Sequence, residues 1–337
     1  MKLPALTGIR AFAALAVVLY HFTRGFPPLE GLFLHGYLGV DLFFILSGFI
    51  IHHVYRDTFS KGAGREDFLN FIRYRFARIY PVHFAMIAAM LCLYLIAVSA
   101  IEIAPHDPAP YTWTALAANL TLTHAWFGVP SPNIPSWSVS AEWFAYLLYP
   151  FICVAAVRLP AAARCALALV CLAVIGLWAN DHPLARIAPE FLLGMLVYDL
   201  NQPGRFGRFA GLAAAGAIIA ADLMLPIEAL AVRAALFAAL IATLAAPADL
   251  LGRILGLPVF VYLGEISYST YMTHGVLWTV VTNACKLTNT SANSWGVIGV
   301  SVLLVLPLSM LTYHVVELPA RSLLRRLNAR GARYANP

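Results

Sequence analysis

The feature that most constrains this chain is a succession of long apolar segments. A helix needs about 20 predominantly apolar residues to cross the hydrocarbon core of a bilayer. Ten segments approach that length: residues 5–23, 37–56, 77–100, 139–158, 163–180, 184–200, 208–224, 229–246, 259–283 and 295–317. Backbone polar groups inside a bilayer must be satisfied within their own segment or barrel. The predicted fold is therefore all-α, a polytopic membrane helical bundle of about ten transmembrane helices. Only 11% of residues are charged, against about 25% in soluble domains, which excludes an ordinary soluble enzyme. Residues 110–127 are too polar to span and read as an amphipathic or re-entrant piece. The five cysteines lie in apolar segments without paired spacing, so neither a disulfide framework nor a metal site is expected.

Basic residues set the orientation. With a cytoplasmic N-terminus, 18 of the 22 Lys and Arg fall on the inner side, and only Arg24, Arg186, Arg233 and Lys286 fall outside. Both termini are thus predicted to be cytoplasmic. Residues 1–320 form the transmembrane domain, and residues 321–337 a basic cytoplasmic tail, an interfacial helix. The positive charge is a topology signal, and no nucleic-acid partner is expected. The first segment lacks a convincing small-residue cleavage site and reads as a retained helix rather than a signal peptide.

Arg10 and His21 lie inside that first segment. Ionisable groups at such positions are expensive and call for a function. Eleven residues make three helical turns, so the two share a face about 16 Å apart along the axis. They could line one polar slot, a cation at one end and a proton-handling group at the other. Arg73, Arg75 and Arg78 lead into the third segment. Arg75 and Arg78 share a face and, with Arg10, make a cytoplasmic entrance suited to phosphates. Asp41 opens the second segment, where it is placed to orient His21. Gly39, Ser47 and Gly48 follow on that segment and allow close helix approach. In PSWSVSAEW, Ser136 can cap the helix, and Ser138 and Glu142 share a face at the expected depth of His21. Arg186 with Glu190, Glu265, His274 and Glu317 read as structural groups, and His52 and His53 as boundary residues within reach of solvent.

Seven motifs in order resemble the acyltransferase-3 family of bacterial integral-membrane acyltransferases. They are the Arg10 and His21 pair, GVDLFFILSGF (39–49), RYRFARIYP (73–81), WSVSAEW (137–143), EFLLGM (190–195), GEISYSTYMTH (264–274) and VVELP (315–319). Family members commonly read WSLSVEE in the fourth motif; here Ala141 and Trp143 depart from it while Glu142 is kept. The resemblance implies an acyl-CoA donor, most often acetyl-CoA, a sugar hydroxyl as acceptor, and a multi-pass place in the bacterial inner membrane. It implies CoA phosphates at Arg10, Arg73, Arg75 and Arg78. His21 would be the catalytic base, supported by Asp41 or Glu142, with Ser138, Ser140 or a tyrosine as oxyanion donor and Trp137 facing the sugar. An acyl-His21 intermediate is the mechanistic rival. A transporter or flippase for a polysaccharide precursor is the alternative class, against which no halved or inverted pattern is visible. Succinyl transfer would ask Arg186 or Arg233 to receive a second carboxylate. The sequence leaves the acceptor open, and with it the oligomeric state, a homo-oligomer included.

Overall fold

A computed structural model describes residues 3–99, 107–178, 182–201, 206–246 and 248–327, the last three by backbone alone. Among them lie fifteen α-helices and no strand. In order they are α1 (Pro4–Thr23), α2 (Pro27–Phe33), α3 (Gly39–Phe59), α4 (Arg65–Ser99), α5 (Trp113–Leu120), α6 (Trp137–Ala156), α7 (Ala161–Trp178) and α8 (Pro183–Leu200). There follow α9 (Ala210–Met224), α10 (Leu230–Leu244), α11 (Leu250–Leu255), α12 (Pro258–Glu265), α13 (Ser267–Leu287), α14 (Trp295–Thr312) and α15 (Leu318–Leu327). Proline occupies the first turn of α1, α2, α8 and α12, where its missing N–H has no helical partner to lose.

All ten predicted segments are helical, but six stretches are long and apolar enough to cross a membrane: Pro4–Thr23, Pro27–Phe59, Arg65–Ser99, Ile134–Ala156, Ala161–Trp178 and Trp295–Leu324. The 15-residue helices α9 and α10 are shorter, about 22 Å against a core of about 30 Å. The predicted 259–283 span is two helices. The Ser267 hydroxyl takes the Gly264 carbonyl at the break, and the first turns of α13 bury Ser267, Ser269, Thr270, Thr273 and His274. The third span begins earlier than predicted, because the basic stretch joins it in one 35-residue helix with Pro81 inside. At about 52 Å, α4 exceeds the thickness of a hydrocarbon core. The final span ends in a π-helical turn, Tyr313–Glu317, which carries a fully buried Glu317. The 110–127 stretch is the short α5 with flanking turns, burying Ala115 and Asn119 while Trp113 stays exposed. Lys2, Arg205, Arg330, Arg333 and the tail beyond Leu327 lie outside the described residues.

Glycine sets the closest approach. A Cβ on Gly48 of α3 would strike the Phe191 carbonyl of α8, and one on Gly194 of α8 would strike the Ile45 carbonyl of α3. This reciprocal contact locks the two backbones together as small residues do in bilayers. The same device joins α1 to α12, with Gly264 against the Thr7 carbonyl, and α1 to α3, with Gly39 against the Ala13 carbonyl. These contacts fix the level of α3 along α1. Gly36, in the 3-10 turn Leu34–Leu38, meets Ala16 and Tyr20, so the last turns of α1 face that turn rather than α3 itself.

Replacing Gly48 or Gly194 by Leu should force α3 and α8 apart and cost at least the roughly 1–3 kcal/mol of an overpacked core. Gly299→Leu, where a Cβ meets nothing within 4 Å, should leave the thermal midpoint in detergent near that of the unmodified protein.

Candidate functional site

A cavity partly open to the outside, with about 830 Å³ of empty space when its open mouth is included, lies between α1, α3, α4, α6 and α13. Arg10 enters it from α1, Arg75 and Arg78 from α4, Ser47 from α3, Ser138, Glu142 and Tyr146 from α6, and Tyr268 and Tyr271 from α13. The three arginines are not equivalent. Arg78 is bound by Glu317, whose second oxygen accepts from Ser269 at 2.7 Å. Arg75 lies over the rings of Tyr55 and Tyr146, 5.3 and 6.0 Å from their centroids, and donates to the Tyr55 hydroxyl at 3.2 Å. Its buried Nε has no partner. Arg10 has no hydrogen bond or ion pair among the described residues, and rests 6.0 Å over Phe43. Glu142 accepts from Ser47 at 2.6 Å and from Tyr146 at 2.5 Å, both on Oε1. The cavity therefore offers two cations with donors to spare and a carboxylate already oriented by two hydroxyls. Such a site suits an anionic ligand.

His21 does not line this cavity. It is half-buried, its ring 5.1 Å from His274 and 5.0 Å from Tyr20. Tyr271, which does line the cavity, stands 5.7 Å from the His274 ring. The expectation of one slot shared by Arg10 and His21 is therefore not met: the imidazole lies outside the cavity that Arg10 enters, beside His274, whose ring neighbours Tyr271 of the lining. Neither carboxylate reaches the imidazole. Asp41 takes Arg186 instead, in a two-pronged ion pair at 2.7 and 2.6 Å. The reason is level: the Leu34–Leu38 turn occupies the height of His21, and α3 begins deeper. Glu142 bonds to Ser47, six residues and roughly 9 Å further along α3 than Asp41, near the depth of Arg10.

Other predicted residues have other tasks. Arg73 is exposed and absent from the cavity lining, since two residues from Arg75 is a different helix face. Trp137 packs edge-on to Phe44 and beneath Arg186. Ser138 lines the cavity and donates to the Tyr271 hydroxyl at 2.8 Å. Ser140 is drawn away, donating to the Leu122 carbonyl at 2.7 Å and accepting from the Ala125 amide at 3.1 Å, so it holds the preceding loop. Ser136 does not cap α6; its hydroxyl bonds Ser131 and His124. Burial, and secondarily the His83 ring stacked at 5.9 Å, pushes the His124 imidazole down to about 4, so it anchors that loop as a neutral hydrogen-bonding group. Arg186 and Arg233 both stay out of the cavity. Buried Arg233 pairs with Asp222 at 3.0 Å and caps the carbonyls of Leu225 and Pro226. Arg186 is not neutralised by Glu190, which lies buried with neither oxygen bonded.

Sequence reasoning missed a second buried cluster. Asp199 of α8 receives Arg56 at 2.8 Å, His52 at 3.3 Å and Arg164 at 3.6 Å. His52 is fully buried rather than solvated. Its signal in the sequence was an isolated acid at the end of an apolar segment. The three partners lie on α3 and α7, too far apart in sequence to be associated with it.

Comparison with known proteins agrees on one family. Its model, described as an acyltransferase domain of the acyltransferase-3 type, matches residues 3–314. The chain is 30% identical to acyltransferase MdmB of Streptomyces mycarofaciens over 316 residues, 81% of this chain and 78% of that protein. It is 28% identical to peptidoglycan O-acetyltransferase OatA of Listeria monocytogenes over 158 residues, 44% of this chain and 23% of that one. It is 39% identical to protein 2 in the picA locus of Rhizobium radiobacter over 97 residues, 27% and 47% of the two. No solved structure matches.

Partnered and unpartnered arginines should separate on mutation. Arg186→Gln leaves Asp41 buried with its charge uncompensated and should destabilise the protein by about 3–5 kcal/mol. Arg10→Gln removes no pair and should leave the thermal midpoint unchanged within 2–3 degrees, as a rough expectation for under 1 kcal/mol. Thermal unfolding of the two variants side by side checks this.

Proposed function

Because the chain belongs to the acyltransferase-3 family, we propose that it moves an acyl group, acetyl in the first instance, from acyl-CoA to a hydroxyl of an envelope sugar. The observation that carries this reading is the pair of arginines facing the cavity without an ion pair among the described residues: Arg10, which makes no hydrogen bond, and Arg75, which gives one to the Tyr55 hydroxyl and keeps its Nε unpartnered. Phosphates are the natural occupants of such donors. The reading places the Pro4 end of α1 and the Arg65 end of α4 on the cytoplasmic side of the inner membrane, with ten spans and both termini inside. CoA enters from that side, and its pantetheine arm runs along α3 and α6.

The acyl end would lie at the far end of the cavity, beside Ser138 and Tyr271. Ser138 now donates to the Tyr271 hydroxyl, and Tyr271 to the Pro135 carbonyl; on donor binding these hydroxyls would turn from those acceptors to the thioester oxygen as charge builds on it. The acceptor approaches from the opposite side, where His21 is half-buried. His21 takes the hydroxyl proton as the oxygen attacks the thioester carbon. The C–O bond forms, the C–S bond breaks, and the proton passes on to the thiolate, releasing CoA thiol and restoring neutral His21. The thioester must pass Tyr271 to meet the base, so that ring gates the reaction. Glu142, held by Ser47 and Tyr146, keeps a negative charge in the cavity that Arg10 enters and bonds to neither the arginine nor the imidazole.

The test is turnover of purified protein with acetyl-CoA and envelope glycan, read as free thiol and as acetylated product by mass spectrometry. Arg10→Gln and Arg75→Gln should raise KM for the donor about tenfold or more, the loss of one charged hydrogen bond. His21→Ala should lower kcat by about 10²–10⁴. Full transfer by His21→Ala at normal folded yield overturns the base, and glycan movement without thiol release overturns the enzyme.

A further inference from the structure

Among the described residues four histidines are fully buried: His52, His83, His124 and His274. The first three each place a ring nitrogen in a hydrogen bond, to Tyr149, to the Asn119 carbonyl and to Ser136. His274 is 1% exposed, and neither of its ring nitrogens bonds to a side chain; the polar groups beside the ring are the backbone groups of Thr270 and Tyr271, one turn earlier in α13. A neutral imidazole carries one N–H and one lone pair. The backbone carbonyls can take the N–H, and the lone pair is left over, a buried acceptor with no donor.

The neighbours of His274 are informative. Phe22, Tyr271 and His21 surround the ring at centroid distances of 6.3, 5.7 and 5.1 Å. Of these the imidazole of His21 is nearest, tilted by 32°. Two imidazoles joined edge to edge by one N–H···N bond of about 3 Å stand at roughly this separation; in this structure the two rings are close but not hydrogen-bonded, and a turn of one ring would join them. The frame around the pair is firm. Phe22 stacks on Trp278 at 5.0 Å, and Val18 and Phe22 pack with Leu277 and Val305, so the end of α1 is pinned against α13.

A histidine base also needs a group to hold its second nitrogen as positive charge develops. The carboxylates that could serve are committed elsewhere, Asp41 to Arg186 and Glu142 to Ser47 and Tyr146. We propose that His274 is the positioning partner of His21, its unpartnered ring nitrogen accepting the second N–H of His21 when that residue takes the acceptor's proton. The inference rests on the reading of His21 as base. The proton stays on His21 until it passes to the departing thiolate. His274 neither gains nor loses one, and its role is to fix the tautomer and share the charge.

The experiment compares His274→Phe, which keeps bulk without an acceptor, with His274→Gln, which restores an amide oxygen, at equal folded yield by size exclusion. His274→Phe should lower kcat at least tenfold, with KM for acetyl-CoA within twofold of the unmodified value, and His274→Gln should recover a large part of the loss. His274→Met takes the place of Phe if the larger ring is not accommodated. In a His21→Ala background the Phe substitution should have no further effect. An unmodified kcat in His274→Phe beside an inactive His21→Ala overturns the positioning role and leaves the base in place. A His274→Gln as slow as His274→Phe overturns it too, because shape rather than hydrogen bonding would then be at issue. Activity in His21→Ala removes the base and the partner together.

Discussion

A charge inside a bundle of apolar helices is tolerated only where it meets an opposite charge, a set of polar groups or a ligand. This chain obeys that constraint at nearly every ionisable group the structure buries. Asp41 meets Arg186, Glu317 meets Arg78, Asp199 meets Arg56, His52 and Arg164, and Asp222 meets Arg233. Asp222 and Arg233 join consecutive helices eleven positions apart, and the other clusters join segments distant in sequence; each acts as a register pin between helices. Against this background Arg10, Arg75 and the buried Glu190 stand apart, none of them in an ion pair among the described residues, and the two arginines enter the cavity.

Helix packing makes that exception possible. The glycine contacts between α3 and α8, and between α1 and both α12 and α3, bring backbones together on one side of the bundle. On the other side of α3, large side chains from α4, α6 and α13 hold the helices apart, and the cavity fills the gap. Tyr146, Tyr268 and Tyr271 form much of its apolar and hydroxyl-bearing wall, with Tyr55 behind Arg75. Their rings spread the charge of Arg75 and Arg78, while their hydroxyls supply hydrogen bonds that water would otherwise provide.

The same geometry divides the proposed chemistry into a donor side and an acceptor side. The arginines lie with the cavity, the imidazoles lie beyond Tyr271, and a two-histidine pair stands where a carboxylate and a histidine were expected. Separation of this kind fits an acyl group handed from one compartment to another across a barrier of one aromatic ring.

The sequence by itself determined the helices, since segment length and apolar content leave no other way to satisfy a backbone in lipid. It also marked Arg10, His21, Glu142 and the Arg75–Arg78 face, because charged residues in apolar segments are visible without coordinates. It could not say where a helix breaks at Ile266 or that the basic stretch joins α4, because both depend on side-chain bonds and packing. Only the tertiary structure decided which polar group meets which. Asp41 finds Arg186 at 145 positions' remove and Glu142 finds Ser47 at 95, and such matches depend on the depth of each helix relative to its neighbours. That depth is set by the Leu34–Leu38 turn and by a few glycine contacts, which hydrophobic periodicity does not encode.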